Sequence, residues 1–212
     1  MSIPPRATAR LQLHAGFTLD DARAALPYLA RLGISHVYAS PLLAARPGSA
    51  HGYDVIDPTR IDPERGGEAG FERFAAALRS HGLGLILDIV PNHMAASLDN
   101  AWWRDVLERG RTSPHAAVFD IDWEAPANPG RVLLPILGKR YGEALRAGDI
   151  RLTRDPATGR PVIAIPGHTL PVAAGTVETI DERLGPDALH AILERQHYRL
   201  AHWRAAAAEI NY

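Results

Sequence analysis

Residues 83–90 constrain the fold more than any other part of this sequence. Every position in the stretch is apolar or glycine except Asp88. A strand of this composition is typically buried on both faces of a parallel sheet. Parallel strands need crossover connections, which are usually helices, so the stretch predicts an α/β protein.

The residues before this stretch predict two helices and two further strands. Thr18 is placed to cap the first helix, with Asp21 at its third position in a near capping box. Pro27 predicts a kink there, because proline removes one backbone hydrogen bond. The apolar positions with helical spacing are Ala22, Ala25, Leu26, Leu29 and Leu32, closed by Gly33, and then Phe71, Phe74, Ala75 and Leu78, closed by Gly82. With strands predicted at residues 10–14, 34–39 and 83–90, the order is β-α-β-α-β with right-handed crossovers.

The alternation stops after residue 93. Residues 94–186 contain nine prolines and no long periodic helix, and we interpret them as an inserted subdomain. Within it, residues 150–153 and 162–165 predict a hairpin across the turn at residues 155–159. A helical period resumes at Leu189 and is expected to run to the end of the sequence. The predicted division is therefore residues 1–93, 94–186 and 187–212.

The number of strands limits the architecture. An eight-stranded barrel needs about 250 residues even without insertions. Three parallel strands cannot close a barrel, and the third would be an open, apolar edge. Either the sheet is a small open one, or the chain is the front part of something larger, which is the interpretation that we favour.

Composition removes several classes of function. Lys and Arg number 23 and Asp and Glu 24, so the net charge of -1 gives no general attraction to nucleic acid or an anionic membrane. The absence of cysteine excludes disulfides, a thiolate nucleophile and a Cys-ligated zinc ion. His190, His197 and His202 lie 7 and 5 residues apart, outside the usual zinc-ligand spacing. With no signal-peptide pattern and no stretch near the roughly 18 apolar residues of a membrane span, we expect a soluble cytoplasmic protein.

Two motifs stand where a ligand site is expected. Asp88, Asn92 and His93 follow the most buried predicted strand, and the carboxyl ends of parallel strands are where active sites form. The motif His51-Gly52-Tyr53-Asp54 follows the second strand and offers an aromatic ring for a sugar face, with polar groups for its hydroxyls. The alternative interpretations are an Asp that caps a loop beside two polar surface residues, and a solvent loop with a half-buried tyrosine.

Taken in order, these segments resemble the front of the alpha-amylase superfamily. The residues that carry the resemblance are His51-Gly52-Tyr53-Asp54, Ile61-Asp62-Pro63 with Gly66-Gly67, residues 71–82 and residues 88–93. Other segments resemble one branch of it, the glucan mutases that form trehalose ends. These are Arg10-Leu11-Gln12-Leu13, Tyr38-Ala39-Ser40-Pro41 and residues 102–107, 119–123, 133–138 and 194–212.

The resemblance implies the front part, about three βα units, of a TIM (β/α)8 barrel with a domain-B-like insertion after the third strand. By position, Tyr53 would stack on the sugar at the cleavage subsite, and His51 and His93 would bond its hydroxyls. Asp88 would be architectural, holding the strand-end groups in register. Asn92 matches a calcium ligand of many amylases, but no convincing set of oxygen ligands accompanies it, so we expect no metal and no other cofactor.

The resemblance also implies an activity on a maltooligosaccharide, an α-1,4-glucan. The enzyme would cleave the α-1,4 bond at the reducing end and rejoin the freed glucose as an α,α-1,1 linkage, an intramolecular transglycosylation. Retaining chemistry needs two carboxyl groups about 5 Å apart, and in this superfamily they stand on the fourth and fifth strands, beyond Tyr212. Two acidic pairs are present. We interpret Asp20 and Asp21 as residues that begin a helix, and Asp120 and Asp122 as residues that hold the insertion together. We expect no catalytic residue in this chain, and no activity from it alone.

Three alternatives to the mutase stay open. The first is an amylase-type hydrolase, with the same kind of site and water as the acceptor. The second is a short, non-catalytic glucan-binding module, and the third is a gene-model fragment with no independent existence. Within the insertion, Trp102, Trp103 and Trp123 are either sugar platforms in a lid over the site or the insertion's own core.

Overall fold

The computed structural model describes residues 4–181 and 184–212. The chain divides into two compact units, Met1–Asn100 and Ala101–Tyr212, called unit 1 and unit 2 below. Within the described residues, no helix is long and apolar enough to cross a bilayer.

Unit 1 is built on a three-stranded parallel sheet. Its elements in chain order are β1 (Thr8–Leu11), α1 (Leu19–Arg31), β2 (His36–Ala39), β3 (Leu43–Ala45), β4 (Val55–Ile61), α2 (Gly67–Ser80) and β5 (Gly84–Leu87). The sheet order is β1-β2-β5, and both pairings are parallel. The two helices lie in the connections between these strands, so the predicted β-α-β-α-β order is confirmed.

Helix α1 begins where its sequence predicts. The Thr18 side chain accepts a hydrogen bond from the Asp21 amide, and Asp21 bonds back to Thr18, which completes the capping box. Ala22, Leu26 and Leu29 are buried. Leu32, predicted on the same face, is 61% exposed instead, because it is the C-cap residue and lies past the last helical turn.

The core of unit 1 joins the sheet to both helices. Its buried residues are Leu13, Leu19, Ala22, Leu26, Leu29, Val37, Ala39, Leu42, Phe74, Leu78 and Leu83. Burying one such side chain contributes about 1.5–3 kcal/mol. This cluster therefore fixes the sheet on which the site is assembled.

Strand β5 differs from its prediction. Residues 83–90 were expected to be buried on both faces, but Leu87 is 44% and Ile89 68% exposed. The reason is its position, because in the described part of the chain β5 pairs with β2 alone. The expectation of an open, apolar edge at the third strand is thus confirmed, whereas full burial of that strand is wrong.

One hairpin of unit 1 was not predicted. Strands β3 and β4 pair antiparallel between β2 and α2, with two register irregularities. The segment Val55–Ile61 holds Pro58 and three polar residues, so it lacks the apolar alternation of a strand. A turn of 3-10 helix at Pro63–Arg65 follows it.

The described residues of unit 2 form two small sheets and short helices. Its elements are α3 (Ala101–Arg109), β6 (Val132–Leu137), α4 (Tyr141–Arg146), β7 (Arg151–Arg154), β8 (Pro161–Ile165), β9 (His168–Pro171), α5 (Pro186–Leu193), β10 (Tyr198–His202) and α6 (Trp203–Ala206). Strands β7, β8 and β9 form an antiparallel sheet that includes the predicted hairpin, with Arg151 opposite Ala164. Strands β6 and β10 pair in parallel.

The single helix predicted from Leu189 to the end of the sequence is wrong: the chain is α-helical at Pro186–Leu193 and again at Trp203–Ala206, and between them the predicted helix is absent. Strand β10 replaces it, with Tyr198 and Leu200 buried on its inner face. The apolar residues at 189, 193 and 200 fit a helical period, but pairing with β6 decides the conformation. Helix α3 was likewise not predicted, although Trp103, Val106 and Leu107 have helical spacing and are buried.

The last two residues are tied into unit 2. The Asn211 side chain accepts from the Leu133 amide at 3.0 Å and donates to the carbonyls of Asp122 and Arg131 at 2.8 and 2.9 Å. The Tyr212 ring lies 4.7 Å from that of Trp103. Asn211 thus joins three points of unit 2 that lie 78 to 89 residues earlier.

Candidate functional site

A cluster of polar side chains lies at the carboxyl edge of the parallel sheet in unit 1. Arg10 on β1 is paired in register with Tyr38 on β2, and Tyr38 with Ile86 on β5. Asp88 follows β5 directly. The three strands therefore end level with one another, at the edge where parallel sheets carry their binding sites.

Asp88 is the centre of this cluster. Its Oδ2 atom accepts a hydrogen bond from the Tyr53 hydroxyl at 2.6 Å and one from Arg10 Nη1 at 2.9 Å. The Tyr53 hydroxyl, with help from Arg10 and Tyr38, holds the pKa of the Asp88 carboxyl below its ordinary value. The Oδ2 atom of Asp88 is therefore held by two protein donors, which suits a positioning role.

Tyr53 presents its ring beside this carboxylate. The side chain is 37% exposed, and its hydroxyl also accepts from Arg10 Nη2 at 3.0 Å. The hydrogen bond to Asp88 raises the pKa of the Tyr53 phenol, so the hydroxyl stays protonated. With its hydroxyl held at one end, the partly exposed ring is restrained in its orientation.

Arg10 belongs to the site and was not singled out from the sequence. Its guanidinium contacts Asp88, Tyr53 and Gln12, and it lies 4.5 Å from the centre of the Tyr38 ring. The hydrogen bond to Asp88 raises the pKa of the Arg10 guanidinium above its ordinary value. Along this segment Arg10 and Gln12 alternate with Leu11 and Leu13, which places the two polar residues on one face. This alternation was the sequence signal that could have indicated Arg10 as a site residue.

Gln12 connects the end of β1 to the loop at residues 49–54. Its Nε2 atom donates to the carbonyl of Ala50 at 3.1 Å and lies 3.3 Å from that of His51. The same loop is closed internally by the Ser49 hydroxyl, which bonds Asp54 at 2.5 Å. These bonds hold the backbone that carries His51 and Tyr53.

His51 lies against Tyr53 on this loop. The two rings are 5.9 Å apart and inclined by 23°, and the Tyr53 amide donates to His51 Nδ1 at 3.1 Å. Because Nδ1 accepts, a neutral His51 carries its proton on Nε2, which becomes a donor. Gly52 between them has a φ of 80°, and a Cβ there would lie 3.0 Å from the Pro41 carbonyl oxygen. Only glycine fits that backbone without strain.

His93 and Asn92 complete the cluster from the far side of the loop. His93 Nε2 donates to the Tyr53 carbonyl at 3.1 Å, and its other ring nitrogen lies 3.1 Å from Asn92 Oδ1. His51, Tyr53, Asp88, Asn92 and His93, the five residues predicted to bind substrate, thus form one connected group. Their contact with a sugar stays a prediction.

The acidic pairs considered as catalytic groups have other contacts. Asp20 is paired with Arg73 and Arg23, and Asp21 caps helix α1. Asp122 accepts from the Glu124 amide at 2.9 Å. Among the residues that the structure describes, no group of three or more His, Asp or Glu side chains is arranged to hold a metal ion.

The tryptophans of the insertion divide into two kinds. Trp103 is 1% exposed and packs on Phe119 and Tyr212, so it belongs to the core of unit 2. Trp102 is half-buried and stacks on His115 with a centroid distance of 4.9 Å and an angle of 4°. Trp123 lies 5.7 Å from the guanidinium of Arg111.

Comparison with known proteins identifies the class. The family model for the alpha amylase catalytic domain matches residues 18–134, and the chain belongs to the alpha-amylase family of enzymes. Putative maltooligosyl trehalose synthase from Mycobacterium tuberculosis (strain ATCC 25618 / H37Rv) is 43% identical over 219 residues, covering 96% of this chain and 25% of that protein. The solved maltooligosyltrehalose synthase from Arthrobacter ramosus is 41% identical with a TM-score of 0.82, covering 98% of this chain and 25% of the other.

A hydrolase matches less of the chain. Trehalose-6-phosphate hydrolase from Escherichia coli (strain K12) is 34% identical over 109 residues, which are 50% of this chain and 19% of the hydrolase. The chain spans about a quarter of the length of both synthases.

Proposed function

We propose that this chain forms the N-terminal part of a maltooligosyltrehalose synthase. The whole enzyme would convert the reducing-end α-1,4 linkage of a maltooligosaccharide into an α,α-1,1 linkage by intramolecular transglycosylation. The observation that carries the proposal is the extent of the likeness. Similarity to the synthases covers 96% of the chain and so runs through both units, whereas similarity to the hydrolase covers half of it.

In this proposal, unit 1 is the front of a (β/α)8 barrel, about three βα units long. The sheet order β1-β2-β5 supports it, because strands joined by helical crossovers lie next to each other in a barrel. Residues 94–186 would then be the domain-B-like insertion after the third barrel strand. The open edge of β5 would receive the next strand of the barrel.

The cluster at the sheet edge would bind and orient the sugar at the cleavage subsite. The Tyr53 ring would stack on the apolar face of the pyranose, held in orientation by Asp88 and Arg10. His51 Nε2 would donate to a sugar hydroxyl, since its Nδ1 atom is occupied by the Tyr53 amide. His93 would contribute from the other side, while its bond to the Tyr53 carbonyl fixes the loop.

The carboxyl pair that cleaves the bond would come from strands beyond residue 212. An intramolecular transfer also requires that water be kept from the glycosyl-enzyme intermediate. The half-buried Trp102 and Trp123 are candidates for sugar platforms in a lid that does this, whereas the burial of Trp103 excludes it from such a role. A cytoplasmic location is part of the proposal, and cell fractionation would test it.

The deciding experiment uses the protein encoded by the complete gene with maltopentaose. A mutase removes reducing ends without releasing sugar monomers and yields a trehalose-ended product of unchanged size. An amylase-type hydrolase instead increases the number of reducing ends. The chain of residues 1–212, assayed beside it, is expected to give no turnover.

The genomic sequence after the Tyr212 codon gives an independent test. We expect an open reading frame with further strand–helix units that carry an Asp and a Glu at successive strand ends. A confirmed stop codon would favour the non-catalytic glucan-binding module. In that case maltoheptaose would bind the 212-residue chain, and Tyr53→Ala would abolish the binding.

A further inference from the structure

The loop at residues 49–54, which carries His51 and Tyr53, packs against a buried arginine. Arg65 is 1% exposed and lies in the turn at Pro63–Arg65, which follows β4. None of the chemistry considered above uses it. A guanidinium that is fully buried must have its charge paired and its N–H groups bonded, so its contacts show what holds it there.

The fork of Arg65 reaches three acceptors in three directions. Nη1 pairs with Asp62, Nε donates to the Leu13 carbonyl at 3.1 Å, and Nη2 donates to the Ser49 carbonyl at 3.2 Å. Leu13 lies two residues after the end of β1, and Ser49 begins the loop. One side chain thus connects the sheet edge, the loop and the turn after β4.

Asp62 extends the connection. Its Oδ2 atom accepts from the Ala45 amide at 3.2 Å and Oδ1 from the Glu64 amide at 2.9 Å. Gly52 lies directly against the guanidinium, because a Cβ at that residue would be 3.1 Å from Arg65 Nη2. The guanidinium therefore bonds the loop at its start and lies close to it again at Gly52, between His51 and Tyr53.

We propose that Arg65 is a positioning residue that sets the place of the 49–54 loop, and with it His51 and Tyr53, relative to the sheet edge. The expected effect of Arg65 on turnover rests on the proposed function, whereas its expected effect on the loop does not. Breaking a buried ion pair is costly, whereas an apolar pair in its place is often as stable. The feature that an apolar pair cannot supply is the directed bond to each carbonyl.

The two partners can be separated by conservative variants in the protein encoded by the complete gene. Arg65→Lys keeps a positive charge for Asp62, but one ammonium cannot bond two diverging carbonyls in place of the fork. Asp62→Asn leaves the guanidinium with both carbonyls but removes the ion pair. Arg60→Lys is the matched control, since Arg60 is half-exposed and pairs with Asp57 at the surface.

Hydrogen exchange at the amides of Ser49, Gly52 and Tyr53 reports on the loop without any substrate. We expect Arg65→Lys to speed their exchange about ten-fold and to lower kcat/KM for maltopentaose about ten-fold, a factor that corresponds to about 1.4 kcal/mol. Asp62→Asn is expected to lower the unfolding temperature more than Arg65→Lys does, with loop exchange within about two-fold of the wild type. Arg60→Lys should change neither.

The proposal is overturned if loop exchange follows global stability in both variants, or if Arg65→Lys leaves these amides as protected as in the wild type. A wild-type enzyme with no activity on maltopentaose would reject the proposed function instead. The exchange data would then decide the role of Arg65 by themselves.

Discussion

The Tyr53 hydroxyl donates to Asp88 Oδ2 at 2.6 Å and joins a loop residue to the end of a strand that lies 35 residues later. Without this bond the ring could turn about its side-chain torsions. With it, the ring and the carboxylate form one fixed unit with Arg10. The geometry at this edge of the sheet is therefore set before any ligand arrives.

Removing the Tyr53 hydroxyl is expected to reduce activity without loss of the fold. In the protein encoded by the complete gene, Tyr53→Phe keeps the ring but loses the bond to a charged carboxylate, so kcat/KM for maltopentaose should fall about ten-fold. Tyr53→Ala, which also removes the stacking surface, should fall further. Tyr28→Phe is the control, since Tyr28 is 59% exposed on α1. Equal activity of Tyr53→Phe and the wild type would contradict the role given to the hydroxyl.

Asp88 should make stability depend on pH at the acid end. The Tyr53 hydroxyl and Arg10 lower the pKa of the folded-state carboxyl. Its contribution to the free energy of unfolding is therefore present above the unfolded pKa of about 3.9 and is lost as the pH falls through the lower folded value. Urea denaturation at pH 6 and near pH 3 should show a larger loss for the wild type than for Asp88→Asn. Equal losses in the two proteins would argue against the lowered pKa.

Gly84 at the start of β5 leaves room for a buried ring on β2. A Cβ at Gly84 would lie 2.2 Å from the His36 ring, whose Nδ1 atom bonds the Ser35 hydroxyl at 3.2 Å. Gly84→Ala should cost about 1–3 kcal/mol in the free energy of unfolding, because the ring must leave its place. Gly138→Ala is the control, since nothing lies within 4 Å of a Cβ there. Chemical denaturation measures both, and similar values would show that the ring moves without cost.

The two neighbouring tryptophans of α3 should respond differently to removal. Trp103→Ala is expected to cost about 3–5 kcal/mol in the free energy of unfolding, because it empties the core of unit 2. Trp102→Ala should cost clearly less, since its ring is half-buried against His115. Maltoheptaose binding to the Trp102 variant then tests the sugar platform. Unchanged affinity would assign Trp102 to the packing of unit 2 alone.

The sequence predicted those parts of the fold that depend on neighbouring residues. Helix α1 begins at its capping box, and the hairpin around residues 155–159 forms, because both signals lie within a few positions. Strand β10 was missed because its conformation depends on pairing with β6, more than sixty residues earlier. Local periodicity does not contain that information.

The site residues that lie in sequence motifs were predicted, whereas those whose role depends on a distant partner were missed. The five predicted residues lie in one cluster, but Arg10 acquires its role from Asp88, 78 residues away. Arg65 is similar, since its acceptor on Leu13 lies 52 residues before it. An arginine in a sequence is typical of the surface, and only the folded chain shows that this one is buried.

The bonds of Asn211 bear on how the protein is made on the ribosome. The core residues of unit 1, and strand β5 that packs with them, have all been synthesised before unit 2 begins, so they can pack while the rest of the chain is still emerging. Unit 2 cannot complete its hydrogen bonds in the same way. The backbone groups of Asp122, Arg131 and Leu133 stay without the Asn211 side chain until it is synthesised about eighty residues later. During that interval β6 lacks β10 as well. Between its first and last strands, unit 2 is therefore incompletely paired for longer than unit 1 and is exposed to chaperones and proteases during that time.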